Sequence, residues 1–378
     1  MGAAYIFALT NDNWFEEARL EAGHRELKGA FGVDVSISGE YAVVGACGHG
    51  KYIQESSRLE DAGAAYIFKR DSSGNWLETQ RIVSPTPTID GKFGLTVFMT
   101  EKYMAISATR EKTNFEGRDT MERAGAVYVY ELNESGQWSN KQKITHSDRF
   151  KFDYFGDELI ISGDEIFISA KNKHIGDIKM TGSVYVFARE NGVWKEKQKL
   201  IAPQRDHRDM FGYSVDVEED VLLVCGKYGD MGGAGYIFIK NDCGYWQYRQ
   251  TIEAQGEELG KHSLDGFGLW LSLSSKHLLF GALYDHNAPG QEDLFEAGSA
   301  FIFDYEGFEG FDRSCDEKEY PELGSGSFID SSTFNTDSIP IHYTPDTSIY
   351  VQEPVIDTVI IEAIDSTIAV IEEYTTSD

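Results

Sequence analysis

The stretch GAAYIFKRDSSGNWLETQRI, residues 63–82, decides the fold. It opens on Gly and a small residue, runs through alternating aromatic and aliphatic side chains, and breaks at a polar Gly-containing turn. It then restarts at Trp76. Large apolar residues at period two on both sides of a short Gly turn describe two strands of a β-hairpin. The segment recurs: GAAYIF from Gly2, GAVYVY from Gly125, GSVYVF from Gly182, GAGYIF from Gly233 and GSAFIF from Gly298. Trp follows seven or eight residues after the last aromatic at Trp14, Trp76, Trp138, Trp194 and Trp246, and Phe311 takes that place in the sixth copy. Four of these Trp residues open W-x-x-x-Q-x-[I/L].

A second landmark is locked to the first. Phe31-Gly32, Phe93-Gly94, Phe155-Gly156 and Phe211-Gly212 each start 17 residues after their Trp, and Phe267-Gly268 starts 21 after. About fourteen residues further on, an apolar run closes on small residues, as in VVGA at 43–46 and ISA at 106–108. The Phe-to-Phe period is 62, 62, 56 and 56 residues. Each unit reads as four short strands: the Phe-Gly strand, the apolar run, the Gly-aromatic strand and the Trp strand. Four-stranded units in tandem predict an all-β propeller of antiparallel blades. A sandwich shows no such blade-by-blade repetition. The period exceeds the roughly 40–50 residues of WD40 and kelch blades. Small residues ending the second strand let blades approach closely, and the aromatic rings bury between them.

These residues resemble the FG-GAP repeat of integrin α heads, over residues 2 to about 311. The resemblance implies an integrin-α-like propeller that binds ligands from the cell surface or outside the cell. It also implies calcium held in Asp-rich loops between the first two strands, and here the chain departs from it. The connections ISGEY, MTEKY, SGDEI, EEDV and SSKH are too short and too poor in Asp for oxygen-rich coordination. No metal site and no cofactor are expected.

Repeats fall near 2–20, 31–82, 93–144, 155–200, 211–252 and 267–311. The N-terminus holds strands three and four of one blade, so closure requires strands one and two from the C-terminus. Phe328 stands 17 residues after Phe311, which places closing strands at 327–343 in a propeller spanning 1–343. Six blades are expected, with seven as the alternative if a further blade precedes Met1. Residues 344–378 read as an acidic tail or linker with repeated Asp-Ser/Thr-aliphatic segments.

The formal net charge is −29, which argues against nucleic acid, since that binding relies on Lys and Arg displacing counterions. Residues 304–378 hold 18 acidic residues against Arg313 and Lys318, so over half the excess lies there. Cys47, Cys225, Cys243 and Cys315 form no CxxC pair, so neither zinc nor a disulfide framework is indicated. Cys225 occupies a small-residue position of the repeat. No apolar stretch nears the roughly 18 residues of a membrane span. MGAAYIF already reads as a repeat strand, so no signal peptide is visible and the chain starts inside the array.

Connections between strands two and three are long and variable: 47–62, 109–124, 171–181, 227–232 and 283–297. Variable loops on a repeated frame are the expected place for recognition. Their charged residues Arg110, Arg118, Asp119, Arg123, Lys171, His174, Asp285 and His286 are the candidate ligand contacts. The clusters before Phe-Gly, 148–157 and 206–209, read as blade-entry turns. Nucleophile elbows, zinc-protease motifs and phosphate loops are missing, and the DSSGNW turns lack the full S-x-D-x-G-x-x-W box of sialidase propellers. The expected function is a non-catalytic adhesion or binding scaffold for a protein or glycan. A glycan-directed hydrolase or lyase and a purely structural segment of a longer surface protein are the alternatives. Asn133-Glu134-Ser135 forms one glycosylation sequon.

Overall fold

The computed structural model describes residues 2–11, 13–54, 57–117, 120–226, 233–253, 267–282, 299–305, 313, 341–343 and 368–372. Among these the chain is all-β, without a helix, and is built of four-stranded antiparallel propeller blades. It divides into two compact units, Met1–Ile161 with Glu353–Asp378, and Ser162–Gln352.

In the first unit β1 (Ala4–Thr10) and β2 (Asn13–Leu20) form a hairpin. The first full blade uses β3 (Phe31–Ser38) and β4 (Tyr41–Ala46), then a small hairpin of β5 (Lys51–Gln54) and β6 (Ser57–Leu59), then β7 (Ala64–Arg70) and β8 (Trp76–Ile82). Its order is β3-β4-β7-β8, so the hairpin lies outside the blade sheet. The connection 47–62 therefore carries structure of its own, which its sequence did not announce. The next blade is β9 (Phe93–Met99), β10 (Tyr103–Ala108), β11 (Ala126–Leu132) and β12 (Trp138–Ile144). A third comprises β13 (Leu159–Ser162), at the unit boundary, with β14 (Glu165–Ser169), β15 (Val184–Glu190) and β16 (Val193–Leu200).

The second unit continues with β17 (Ser214–Glu218), β18 (Val221–Gly226), β19 (Ala234–Lys240) and β20 (Trp246–Glu253). Its last blade joins β21 (Phe267–Leu273), β22 (His277–Ala282), β23 (Ser299–Tyr305) and β24 (Ile341–Tyr343).

The described residues thus hold five four-stranded blades, not six or seven. Of the expected closing strands at 327–343, residues 327–340 lie outside the described residues, and the described Ile341–Tyr343 does not join the N-terminal sheet. Ile341–Tyr343 instead pairs with Phe303–Tyr305 as the outer strand of the last blade. Pro340 supplies the reason. Strand two is an interior strand, and proline cannot donate to a ladder, whereas an outer strand starting just after Pro is allowed. β1 takes its partner from the tail: β25 (Ile368–Glu372) pairs antiparallel along Ala4–Ala8 and makes a three-stranded sheet β2-β1-β25. Part of the tail is therefore a strand. The remaining residues between 306 and 367, Phe311 and Phe328 among them, lie outside the described set, apart from Arg313 and 341–343.

The repeat landmarks hold consecutive blades together. Gly63 has φ +88°, and a Cβ there would lie 2.0 Å from the Phe93 carbonyl oxygen. Gly94 has φ +78°, and its Cβ would lie 2.2 Å from the Ala64 carbonyl. Only a residue with no side chain fits either place. Phe93 itself is wholly buried beside the Tyr128 ring. One apolar core fills the space from Val43 and Ile67 to Ile106, Tyr128 and Trp138, and another joins Ala4 and Ile6 to Phe31, Tyr66 and Trp76. In the second unit a core runs from Leu223 and Ile237 to Phe267 and Phe280. Trp76, Trp138, Trp194 and Trp246 are buried, but Trp14 is 46% exposed. Trp14 keeps the repeat spacing without the packing role.

A β-bulge falls at the same place in five hairpins, between Ile6/Phe7, Ile67/Phe68, Val129/Tyr130, Val186/Phe187 and Ile237/Phe238. The extra residue lies opposite, in the Trp strand, just before the Gln of W-x-x-x-Q in four hairpins and before Ala18 in the first. Bulges add local twist and re-aim side chains. Gln80 and Gln198 are aimed at the main chain of the next Trp strand, where each makes two hydrogen bonds. One residue further, a cation lies over the ring of the neighbouring Tyr: Arg19 on Tyr5, Arg81 on Tyr66, Lys143 on Tyr128 and Lys199 on Tyr185.

Candidate ligand-binding face

Three of the long loops, among the described residues, leave their blades through a closed neck. In the first unit the His49 N–H donates to the Ala46 carbonyl at 3.1 Å, and the His49 carbonyl accepts the Gly63 N–H at 2.7 Å. One blade on, Glu111 N–H donates to Ala108 and the Glu111 carbonyl accepts from Gly125, both at 2.9 Å. In the second unit Lys173 repeats the pattern with Ala170 at 2.9 Å and Gly182 at 3.0 Å. The three side chains at this one repeat position are His, Glu and Lys, and all are buried. Sequence reading missed the position because the main chain makes the contact and no residue type recurs.

The ends of the same three loops are stitched to the entry of the following blade. Asp90, Lys92 and Phe93 N–H groups donate to the carbonyls of Glu60, Asp61 and Ala62. Phe152, Tyr154 and Phe155 do the same to Glu122, Arg123 and Ala124, and in the second unit Arg208, Met210 and Phe211 to Lys179, Met180 and Thr181. The stitch holds several non-glycine residues at positive φ, among them Asp61, Asp90, Lys92, Arg123 and Tyr154. Left-handed backbone is uncommon for such residues, so the hydrogen bonds must hold it in place. Loops and entry turns therefore share one face in each unit, as expected for 148–157 and 206–209.

In the first unit the candidates Arg110 and Arg123 come together on Asp90. Arg110 Nη1 meets both Asp90 oxygens at 2.6 and 2.7 Å, and Arg123 Nη2 lies at 3.4 Å. Arg123 also donates to the Tyr154 hydroxyl at 3.2 Å. Lys92 bonds Asp61 at 2.8 Å. Both arginines are about one-third exposed, at 32% and 37%, so each keeps open donor positions. Below them lies Glu111, whose carboxylate accepts from the Thr113 hydroxyl at 2.8 Å, the Tyr128 hydroxyl at 3.2 Å and two loop N–H groups at 3.0 Å. Lys143 stands 3.6 Å away. Burial lowers the Lys143 pKa against the pull of Glu111, and burial next to that carboxylate raises the Tyr128 pKa. This layer is fully partnered and supports the loop from beneath.

Beside it, His49 lies under Tyr66, with Nδ1 3.0 Å from the hydroxyl. Burial, with Arg81 and His24 nearby, lowers its pKa to about 4. Glu26 is within 3.9 Å, but its carboxylate is engaged by Arg58 and by the Gly50 N–H.

In the second unit Lys171 lies 4.8 Å over the Tyr213 ring and His174 is exposed. Arg118, Asp119, Asp285 and His286 lie outside the described residues, as do loops 227–232 and 283–297. No group of three metal-ligating side chains occurs among the described residues, and none of their elements is a helix long and apolar enough to cross a membrane. Cys47 and Cys225 are free and buried, whereas Cys243 is disulfide-bonded, a cross-link the unpatterned cysteine spacing did not indicate.

The FG-GAP repeat model matches residues 14–68, 138–187 and 194–238. Each match begins in a Trp strand or just after one blade's turn and ends in the third strand of the following blade. A search of curated proteins returns no match. Among solved structures, a candidate 6-phosphogluconolactonase from Bacteroides uniformis aligns over 82% of this chain and 80% of its own, at 12% identity and a TM-score of 0.50. A Lactobacillus plantarum protein aligns over 81% and 93% at 12% identity with a TM-score of 0.40. At this identity the likeness extends to the fold alone. Each matched stretch contains a Phe-Gly start and the Gly-aromatic strand that follows it, and over these three stretches the chain carries FG-GAP repeats.

Proposed function

We propose that the protein is a non-catalytic recognition scaffold that presents its strand-two-to-three loops to a protein or glycan ligand. The observation that carries this reading is the neck. His49, Glu111 and Lys173 close three loops with the same two main-chain hydrogen bonds, while the loop sequences beyond differ in length and charge. A frame that fixes the base of a loop and leaves its content free is suited to binding, because rigid presentation lowers the ordering cost on association. The arginines over Asp90 supply planar donors for a carboxylate, sulfate or backbone carbonyl. The disulfide at Cys243 agrees with display in an oxidising, extracellular setting.

The test is retention of the full chain on glycan and secreted-protein arrays, with each retained ligand recovered and weighed by mass spectrometry. Retention of chemically unchanged ligand is expected. Conversion of a glycan to shorter or unsaturated products would replace this reading with that of a propeller hydrolase or lyase.

A further inference from the structure

Three hairpins connecting third and fourth strands share one turn geometry. In the first, the Asp71 carboxylate accepts the N–H groups of Ser73 and Asn75, both at 2.8 Å. In the second, the Asn133 Oδ1 accepts those of Ser135 and Gln137, both at 3.0 Å, and also the Ser135 hydroxyl at 2.6 Å. In the third, the Asn241 Oδ1 accepts from Cys243 at 3.1 Å and Tyr245 at 2.9 Å. These are Asx turns, in which one side-chain oxygen organises the loop. They differ in chemistry. Asp71 has no amide nitrogen. Asn241 is only 5% exposed and is followed two residues on by the cross-linked Cys243. Asn133 is exposed, with Ser135 two residues on.

We propose that Asn133 is a site of N-linked glycosylation. The modification needs an Asn-x-Ser/Thr segment at the surface of a secreted chain. In the reaction the Asn133 Nδ2 attacks the anomeric carbon of a lipid-diphosphate oligosaccharide. A C–N bond forms, the carbon–oxygen bond to the diphosphate breaks, and the lipid diphosphate leaves as the amide gives up one proton. The Oδ1 is untouched by this step. The three side-chain hydrogen bonds of the turn end on Oδ1, and its two main-chain bonds, Asn133 N–H to the Gln137 carbonyl and Gly136 N–H to the Asn133 carbonyl, leave Nδ2 free of the turn, so the turn survives the attachment. The opposite side of the tip is closed: Trp138 is buried against the Tyr41 ring, and Gly136 sits below the Tyr41 hydroxyl. The glycan therefore projects only outward.

Its position also suits the binding role. β11 starts at the loop side, after Gly125, and ends at Leu132 just before Asn133. Seven residues at about 3.3 Å each separate the two ends by roughly 23 Å. A glycan here shields the end of the blade remote from loop 109–124 and leaves Arg110 and Arg123 open.

The experiment expresses the full chain behind a cleavable secretion leader in a eukaryotic cell and treats the secreted product with an N-glycosidase. Wild type is expected to drop in mass by one glycan and to gain one mass unit at residue 133, the mark of Asn converted to Asp on release. Asn133→Asp should secrete normally and show no drop, because Asp71 proves that a carboxylate supports the same turn. Ser135→Thr should keep the glycan and Ser135→Ala should lose it. Asp71→Asn, which creates Asn-Ser-Ser in the sister turn, is the positive control. Secreted wild type without a glycan, alongside a glycosylated Asp71→Asn variant, would overturn the proposal.

Discussion

Gln80 in one blade clasps the main chain of Trp138 in the next: its Oε1 accepts the Trp138 N–H at 3.1 Å and its Nε2 donates to the Trp138 carbonyl at 2.8 Å. Gln198 grips Trp246 in the same way at 2.8 and 2.7 Å. The Gln of W-x-x-x-Q is therefore a link between outer strands that share no ladder. Removing it strands two partly buried main-chain groups. Gln80→Ala is expected to lower unfolding free energy by about 1–3 kcal/mol, read from the urea midpoint. Gln80→Glu should cost a similar amount, since it keeps the acceptor and loses the donor.

The glycine pairing of adjacent blades predicts a contrast between two substitutions. Gly63→Ala drives a Cβ to within 2.0 Å of the Phe93 oxygen at φ +88°, and both halves of that conflict are main chain. It should cost more than about 4 kcal/mol, within the range of mutations that prevent folding. Gly39→Ala, at φ +57° with nothing within 4 Å, should cost about 1 kcal/mol. Thermal melting of the two variants separates steric from conformational cost.

His49 predicts a pH dependence. Its pKa in the folded chain is lowered to about 4 from an ordinary 6.5, first by burial and then by Arg81 and His24. The unfolded chain takes up a proton at this residue before the folded chain does. Stability from this residue is complete above about pH 6.5 and is lost as pH falls toward 4, by on the order of 3 kcal/mol at the limit. Urea unfolding between pH 7.5 and 4 should show that decline in wild type, and His49→Gln should lack this part of it.

Much of the frame was legible because the residues that hold blades together recur by type. Gly63, Phe93 and Trp138 each fill a place that admits few alternatives, so residues of these types recur at nearly constant spacing through most of the repeats. Blade number was not legible. It depends on which C-terminal segment pairs with β1, and Ile368–Glu372 carries neither Gly nor Trp to mark it. Pro340 was the available clue against Ile341–Tyr343 as an interior strand. The candidate face was legible in part. Arg110 and Arg123 were named for their charge, but Asp90, which joins them, lies in the entry turn of the blade and was passed over. The neck position was invisible because His49, Glu111 and Lys173 share only their main-chain contacts.

The central claim is that recognition resides in the loops and that the ligand leaves unchanged. The most direct measurement is the affinity of wild type, Arg110→Ala/Arg123→Ala and Lys171→Ala/His174→Ala for an array-selected ligand, with the ligand's mass recorded after incubation. Exposed ion pairs contribute little stability, so both double variants should melt close to wild type. At least one should bind tenfold or more weakly, a loss of about 1.4 kcal/mol, with ligand mass constant throughout. Equal affinity of all three proteins, or a ligand altered by wild type, would contradict the account.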